Sequence, residues 1–180
     1  MGGYDAGMKF LGIDPGSRAM GWGVVEERGS TLAVLGMGTV RPRAADPLAR
    51  RLATIHAEVT SMLQSYAPDC VAIEMVFHGV NTRSLVTLGQ ARGAILAAVG
   101  GIEADLVELS PAEVKKAVTG RGGATKEQVA HMVGVLLGPE AREIIAQSSG
   151  GNDATDALAV ALAAMHRSAH QAARQSGGAP

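Results

Sequence analysis

The stretch Leu11-Gly12-Ile13-Asp14-Pro15-Gly16-Ser17 constrains the chain more than any other, together with Arg18-Ala19-Met20-Gly21-Trp22-Gly23-Val24-Val25 that follows it. An apolar run ends on a carboxylate, Pro-Gly reverses the chain, and a second apolar run begins at once. This pattern predicts a strand, a tight turn and an antiparallel strand, with Asp14 at the C-terminal end of the first. A carboxylate there either starts the turn or stands at the rim of a sheet, where open α/β sheets put their chemistry. The other acidic residues have to decide between the two.

Further along, Met20 to Glu27 and Thr31 to Val40 are apolar runs joined by Arg28-Gly29-Ser30, a hairpin signal. Pro47 opens a helical stretch in which Leu48, Leu52, Ile55, Val59, Met62 and Tyr66 recur three and four residues apart. Ala67-Pro68-Asp69 stops it. Cys70-Val71-Ala72-Ile73 then forms a short buried strand that ends on Glu74, so a second strand terminates in a carboxylate.

Asn81 or Thr82 caps a helix running to about Val99, with Gly89 and Gly93 one turn apart on it. Two helical glycines cost roughly 1 kcal/mol each, so close packing by another backbone is expected there. That neighbour is either the sheet of the same chain or a second copy. Glu103 to Leu109 reads as a fifth strand, and Ser110-Pro111-Ala112-Glu113 as a capped helix start. Gly120-Arg121-Gly122-Gly123 is a loop. A helix is expected from Lys126 to about Leu137, and a last one from near Asn152 to about Ala169.

The order β-β-β-α-β-α-β followed by helices predicts an α/β fold. Its centre is a mixed five-stranded sheet, three antiparallel strands and then parallel ones, flanked by helices. A chain of 180 residues is expected to form one domain, over residues 8–170. Residues 1–7 are set aside as an N-terminal extension and 171–180 as a flexible tail. No apolar run reaches the ~18 residues that span a bilayer. With no leader pattern evident, a cytoplasmic protein is expected. The single cysteine, Cys70, excludes a paired-cysteine zinc site.

On the last helix Asp153 and Asp156 lie three apart, on one face of its first turn. Acids are favoured there by the helix dipole alone. Asp156, however, is entering the apolar run Ala-Leu-Ala-Val-Ala-Leu, where an unpaired carboxylate is costly unless protonated, hydrogen-bonded or bound to a cation. Were Asp14, Glu74, Asp153 and Asp156 to converge, an all-oxygen donor set of this kind suits Mg²⁺ or Mn²⁺. Two such ions activate water and stabilise the leaving oxygen in phosphodiester hydrolysis. The formal charge of −1 is compatible with a nucleic-acid substrate. If four of the 17 acids are engaged by metal, 13 face 16 Lys and Arg.

At this point the chain resembles the RuvC-type crossover (Holliday) junction endodeoxyribonucleases, of ribonuclease H-like fold. The matching segments are GIDPGSRAMGWGVV (12–25), AIEMVFHGVN (72–81), LGQARG (88–93), SPAEVKKAVTGRGGATKEQVAHMV (110–133) and NDATDALAVAL (152–162). The resemblance implies that Asp14, Glu74, Asp153 and Asp156 are the catalytic, metal-binding acids; at Asp153 some members of the family carry histidine. It implies two Mg²⁺ ions per site, replaceable by Mn²⁺. It further implies a homodimer that nicks two strands of a four-way DNA junction symmetrically, in recombination and repair, with the branch-migration proteins RuvA and RuvB as partners.

Lys115 and Lys126 match family positions implicated in DNA binding, and Arg121 lies in the loop between them; otherwise all three are ordinary solvated surface residues. Phe77, three residues beyond Glu74, either wedges between bases at the crossover or packs under a loop. Arg83 is a further phosphate-contact candidate. Two rival functions share the acids: a ribonuclease H-type enzyme cutting RNA–DNA hybrids, and a junction-binding module without catalysis. An actin-like ATPase half is a third, disfavoured because such folds place ATP between two domains.

Overall fold

The computed structural model describes residues 7–75, 82–147 and 151–176. Five strands form one sheet: β1 (Met8–Asp14), β2 (Met20–Arg28), β3 (Thr31–Val40), β4 (Cys70–Glu74) and β5 (Asp105–Leu109), in the order β3-β2-β1-β4-β5. β1 pairs antiparallel with β2, and β2 with β3, while β1–β4 and β4–β5 are parallel. The expected mixed sheet is present.

The period-two alternation of strands sorts β1 and β4 onto two cores. Leu11, Ile13, Val71 and Ile73 pack on one face against α1 (Leu48–Tyr66) and α2 (Thr82–Val99), through Ile55, Val59 and Ile95. Phe10, Cys70 and Ala72 pack on the other, against α3 (Pro111–Thr119), α4 (Lys126–Gln147) and α5 (Gly151–Ser176). Burial, with Asp105 and Asp69 nearby, pushes the Cys70 thiol up to about 11, so it remains a protonated core residue.

α5 is the deepest helix, with the run Ala157 to Ala164 almost wholly buried. It lies against β1 and β2 because those strands carry glycine where it crosses. A Cβ at Gly12 would overlap the Ala157 carbonyl, and one at Gly21 the Asp153 carbonyl. Small residues on both surfaces bring the backbones together.

Four local features depart from expectation. Pro47 is the N-cap of α1 rather than its first helical residue. α4 runs on to Gln147, but Gly138 at φ 85° breaks it and Pro139 starts its second segment, so the expected end at Leu137 is a kink. α5 continues through Ser176, past the expected end at Ala169 and into the segment read as a tail. Among the described residues nothing lies within contact distance of a Cβ placed at Gly89 or Gly93, so the sheet is not the neighbour that explains them. Among the described residues no helix is long and apolar enough to cross a membrane.

Candidate active site

Asp14 ends β1 and Glu74 ends β4. The parallel register sets Ile13 beside Ile73, so these carboxyl-bearing residues follow one another as neighbours across the ladder. Both continue the alternation of Phe10 and Gly12, and of Cys70 and Ala72, which puts them on the α5 face of the sheet. On the other side of β1, Asp14 is paired with Gly21, and the backbone of Asp153 rests directly on that glycine. The first turns of α5 are thus seated over the end of β1, and Asp153 and Asp156 arrive there together.

The electrostatics show that the acids share one site. Asp14 is raised from 3.8 to about 7, first by burial, then by the charges of Glu74 and Asp156, with Asp153 a smaller contributor. Glu74 is raised by burial and by Asp156. Lys126 opposes both shifts, and Lys115 opposes that of Glu74. Lys126, at the start of α4, places its Nζ 2.8 Å from Asp156 Oδ2, and this bond raises the lysine's own pKa. Arg41, just past β3, reaches Asp153 Oδ2 at 3.4 Å.

Two acids therefore lean on cationic side chains. Among the described residues no three Asp, Glu, His or Cys side chains are gathered closely enough to clasp an ion as they stand. The donor set nevertheless fits one. All four groups offer only carboxylate oxygen, and burial together with the like charges of Glu74 and Asp156 pushes Asp14 up to about 7. A hard divalent cation is the counter-charge such oxygens accommodate.

Lys115 and Lys126, read from the sequence as DNA-contact candidates, stand beside the acids, Lys126 bonded to Asp156 and Lys115 close enough to act on Glu74. Arg121 is exposed in the α3–α4 loop, where its backbone is tied to the Thr119 hydroxyl. Arg83 is exposed on the first turn of α2. Neither makes an ion pair among the described residues. Phe77 lies outside the described residues.

Three contributors escaped the sequence reading. Gly21 sets the height of α5 over Asp14; its signal was the Gly21-x-Gly23 alternation, two bare positions on one strand face. Arg51 of α1 donates a hydrogen bond to the Ser17 carbonyl and so ties the Pro15-Gly16 turn to the helical layer. Arg41 carries no local signal, because the β2–β3 register alone brings the end of β3 to this rim.

The family profile "Crossover junction endodeoxyribonuclease RuvC" matches residues 10–164. That span includes all four acids and both lysines. The chain belongs to this family. The RuvC of Herminiimonas arsenicoxydans is 45% identical over 161 residues, covering 88% of this chain and 84% of the relative. That of Azorhizobium caulinodans is 39% identical, covering 94% and 96%. The structure of Thermus thermophilus RuvC in complex with Holliday junction substrate superposes with a TM-score of 0.82 at 32% identity, over 91% of this chain and 96% of that one. The yeast mitochondrial Holliday junction resolvase Ydc2, 12% identical, shares the fold at a TM-score of 0.68.

Proposed function

We propose that Asp14, Glu74, Asp153 and Asp156 are the catalytic acids of a divalent-metal-dependent endodeoxyribonuclease that resolves four-way DNA junctions by paired symmetric nicks. The observation that carries the assignment is the register of β1 with β4. It makes Asp14 and Glu74 neighbours on the one face to which α5 delivers its two acids.

The four carboxylates would hold two Mg²⁺ ions, or Mn²⁺ in their place. When bound, the ions supply an activated water and stabilise the leaving oxygen. The chain's own groups do the rest. Asp14 is half-buried at the end of β1, where pairing with Gly21 holds its backbone in the sheet. Lys126 and Lys115 put positive charge beside the acids, where a phosphodiester seated on the site needs compensation. Arg51 holds the Pro15-Gly16 turn and keeps the space beside Asp14 open. Arg83 and Arg121 serve as more distant phosphate contacts, and Phe77 as the wedge at the crossover.

A homodimer supplies two sites to a two-fold junction. The α2 face supports that arrangement, since Leu85 and Val86 are exposed beside Gly89 and Gly93 and nothing among the described residues covers those glycines. RuvA and RuvB are the accompanying partners, following the relatives' assignment to the RuvC family, and a cytoplasmic location suits that work.

The test offers synthetic four-way junctions, linear duplex and RNA–DNA hybrid, with and without Mg²⁺. Metal-dependent nicking of the junction at symmetric positions is expected. Preferential cutting of the hybrid would replace the junction reading with a ribonuclease H one, and binding without cleavage would leave a non-catalytic module.

A further inference from the structure

Away from the four acids, a groove of about 700 Å³ runs between α3 and the C-terminal half of α5. Its charged lining is lopsided. Lys116, Arg167 and Arg174 face it with His166 and His170, against the single acid Glu113. That acid is already engaged, accepting hydrogen bonds from the Ser110 backbone N–H and hydroxyl. Lys116, Arg167 and Arg174 are exposed, and none makes an ion pair among the described residues. His166 is fixed through Nδ1, 3.0 Å from the Ala117 carbonyl, which pins α3 to α5 and shapes the groove. The helix dipole accounts for a cation in the last turn, such as Arg174, but not for Arg167 within α5.

The placement of these cations relative to the active site is informative. At 3.6 residues per turn, Arg167, His170 and Arg174 stand about three, four and five turns beyond Asp156, on the same stripe of α5. The groove is therefore collinear with the catalytic acids. Lys115 and Lys116, adjacent on α3, continue the positive potential between them, since Lys115 acts on Glu74 and Lys116 lines the groove.

We propose that this groove is a second phosphate-backbone site, a rail along which one DNA arm lies as it leaves the active site. The inference rests on the nuclease reading above. With 1.5 Å of helix per residue and 3.4 Å of duplex per base pair, Arg167 and Arg174 meet the arm about five and eight base pairs from the scissile phosphate. Cations that contact only backbone add affinity without sequence preference. An acidic protein segment would also find positive charge here, but nothing about such a partner requires the cations to line up with Asp156.

The experiment compares a four-way junction of ordinary backbone with one carrying neutral methylphosphonates five to eight base pairs from the scissile position. Binding is measured in Ca²⁺ for the native chain and for K116A/R167A/R174A, whose fold is checked by circular dichroism. The native chain is expected to bind the neutralised junction about tenfold more weakly. The triple variant should bind both junctions alike, with a salt slope lower by about 2.5. Equal binding of the two junctions by the native chain overturns the proposal, as does an undiminished methylphosphonate effect in the folded variant. Competition by poly-glutamate that is lost in the variant, with no methylphosphonate effect, overturns it in favour of an acidic protein. Mg²⁺-dependent cleavage of the unmodified junction by the native chain reports the nuclease reading separately.

Discussion

The carbonyl of Asp153 occupies the place where Gly21 would carry a side chain. One proposed catalytic acid is thus seated by the bare backbone of the residue paired with another, Asp14. The site's geometry depends on an absent methyl group as much as on the carboxylates themselves.

Gly21→Ala should therefore damage activity beyond its effect on stability. The added Cβ has backbone rather than a flexible side chain to displace, so overpacking costs about 1–3 kcal/mol. Lifting the first turn of α5 should reduce cleavage by about a hundredfold, the scale seen when positioned groups move by about 1 Å. Thermal melts and single-turnover cleavage on the same preparation separate the two effects.

Lys126→Met removes the partner of Asp156. The pair is largely solvent-facing on the lysine side, so stability should change by less than about 1 kcal/mol. Cleavage should fall by about a hundredfold, since the positive charge beside the acids is gone. A junction-binding titration run in parallel shows whether the loss lies in binding or in turnover.

The raised pKa of Asp14 makes metal-free stability depend on pH in a defined sense. The folded group binds its proton up to about 7, against 3.8 as the ordinary value. The unfolded chain therefore binds fewer protons between those pH values, and stability falls as pH rises through the window. The penalty is absent below about pH 4 and complete above about pH 7. Asp14→Asn should accordingly be more stable than the native chain by up to about 4 kcal/mol at pH 8 without metal, with the gain vanishing near pH 4. Saturating Mg²⁺ should narrow the difference at pH 8 by stabilising the native chain. Melting curves across this range, with and without Mg²⁺, provide the check.

α3 is held by a reciprocal capping box, in which the Glu113 backbone N–H donates to the Ser110 hydroxyl and the Glu113 carboxylate accepts from the Ser110 backbone N–H. Ser110→Ala should cost about 1 kcal/mol, read from chemical denaturation. Because Lys115 rides on this helix, a modest rise in KM for the junction should accompany it.

The mixed five-stranded sheet, the acids at two strand ends and the start of α3 were legible because each rests on local signals: alternation of apolar residues, a Pro-Gly turn and the Ser-Pro-x-Glu pattern. The extent of α5 was not, since Gln171 to Ser176 is polar and without apolar periodicity, so it resembles a tail although the helix runs on through it. The Gly138-Pro139 kink misled in the same way, because the two residues that end a helix also start its next segment. Arg41 and Gly21 act through the register of β2 and the descent of α5. These are tertiary facts that no window of sequence contains. Lys126 was named for DNA, and its pairing with Asp156 became visible only when α4 was placed beside α5.

The central claim is that the acids at the ends of β1 and β4 perform the hydrolysis, and Asp14→Asn and Glu74→Gln address it most directly. Both variants are assayed on a four-way junction in Mg²⁺, with binding and single-turnover cleavage followed together. The account predicts junction binding close to that of the native chain and cleavage reduced by at least about a hundredfold in each. Cleavage at the native rate by either variant would contradict it.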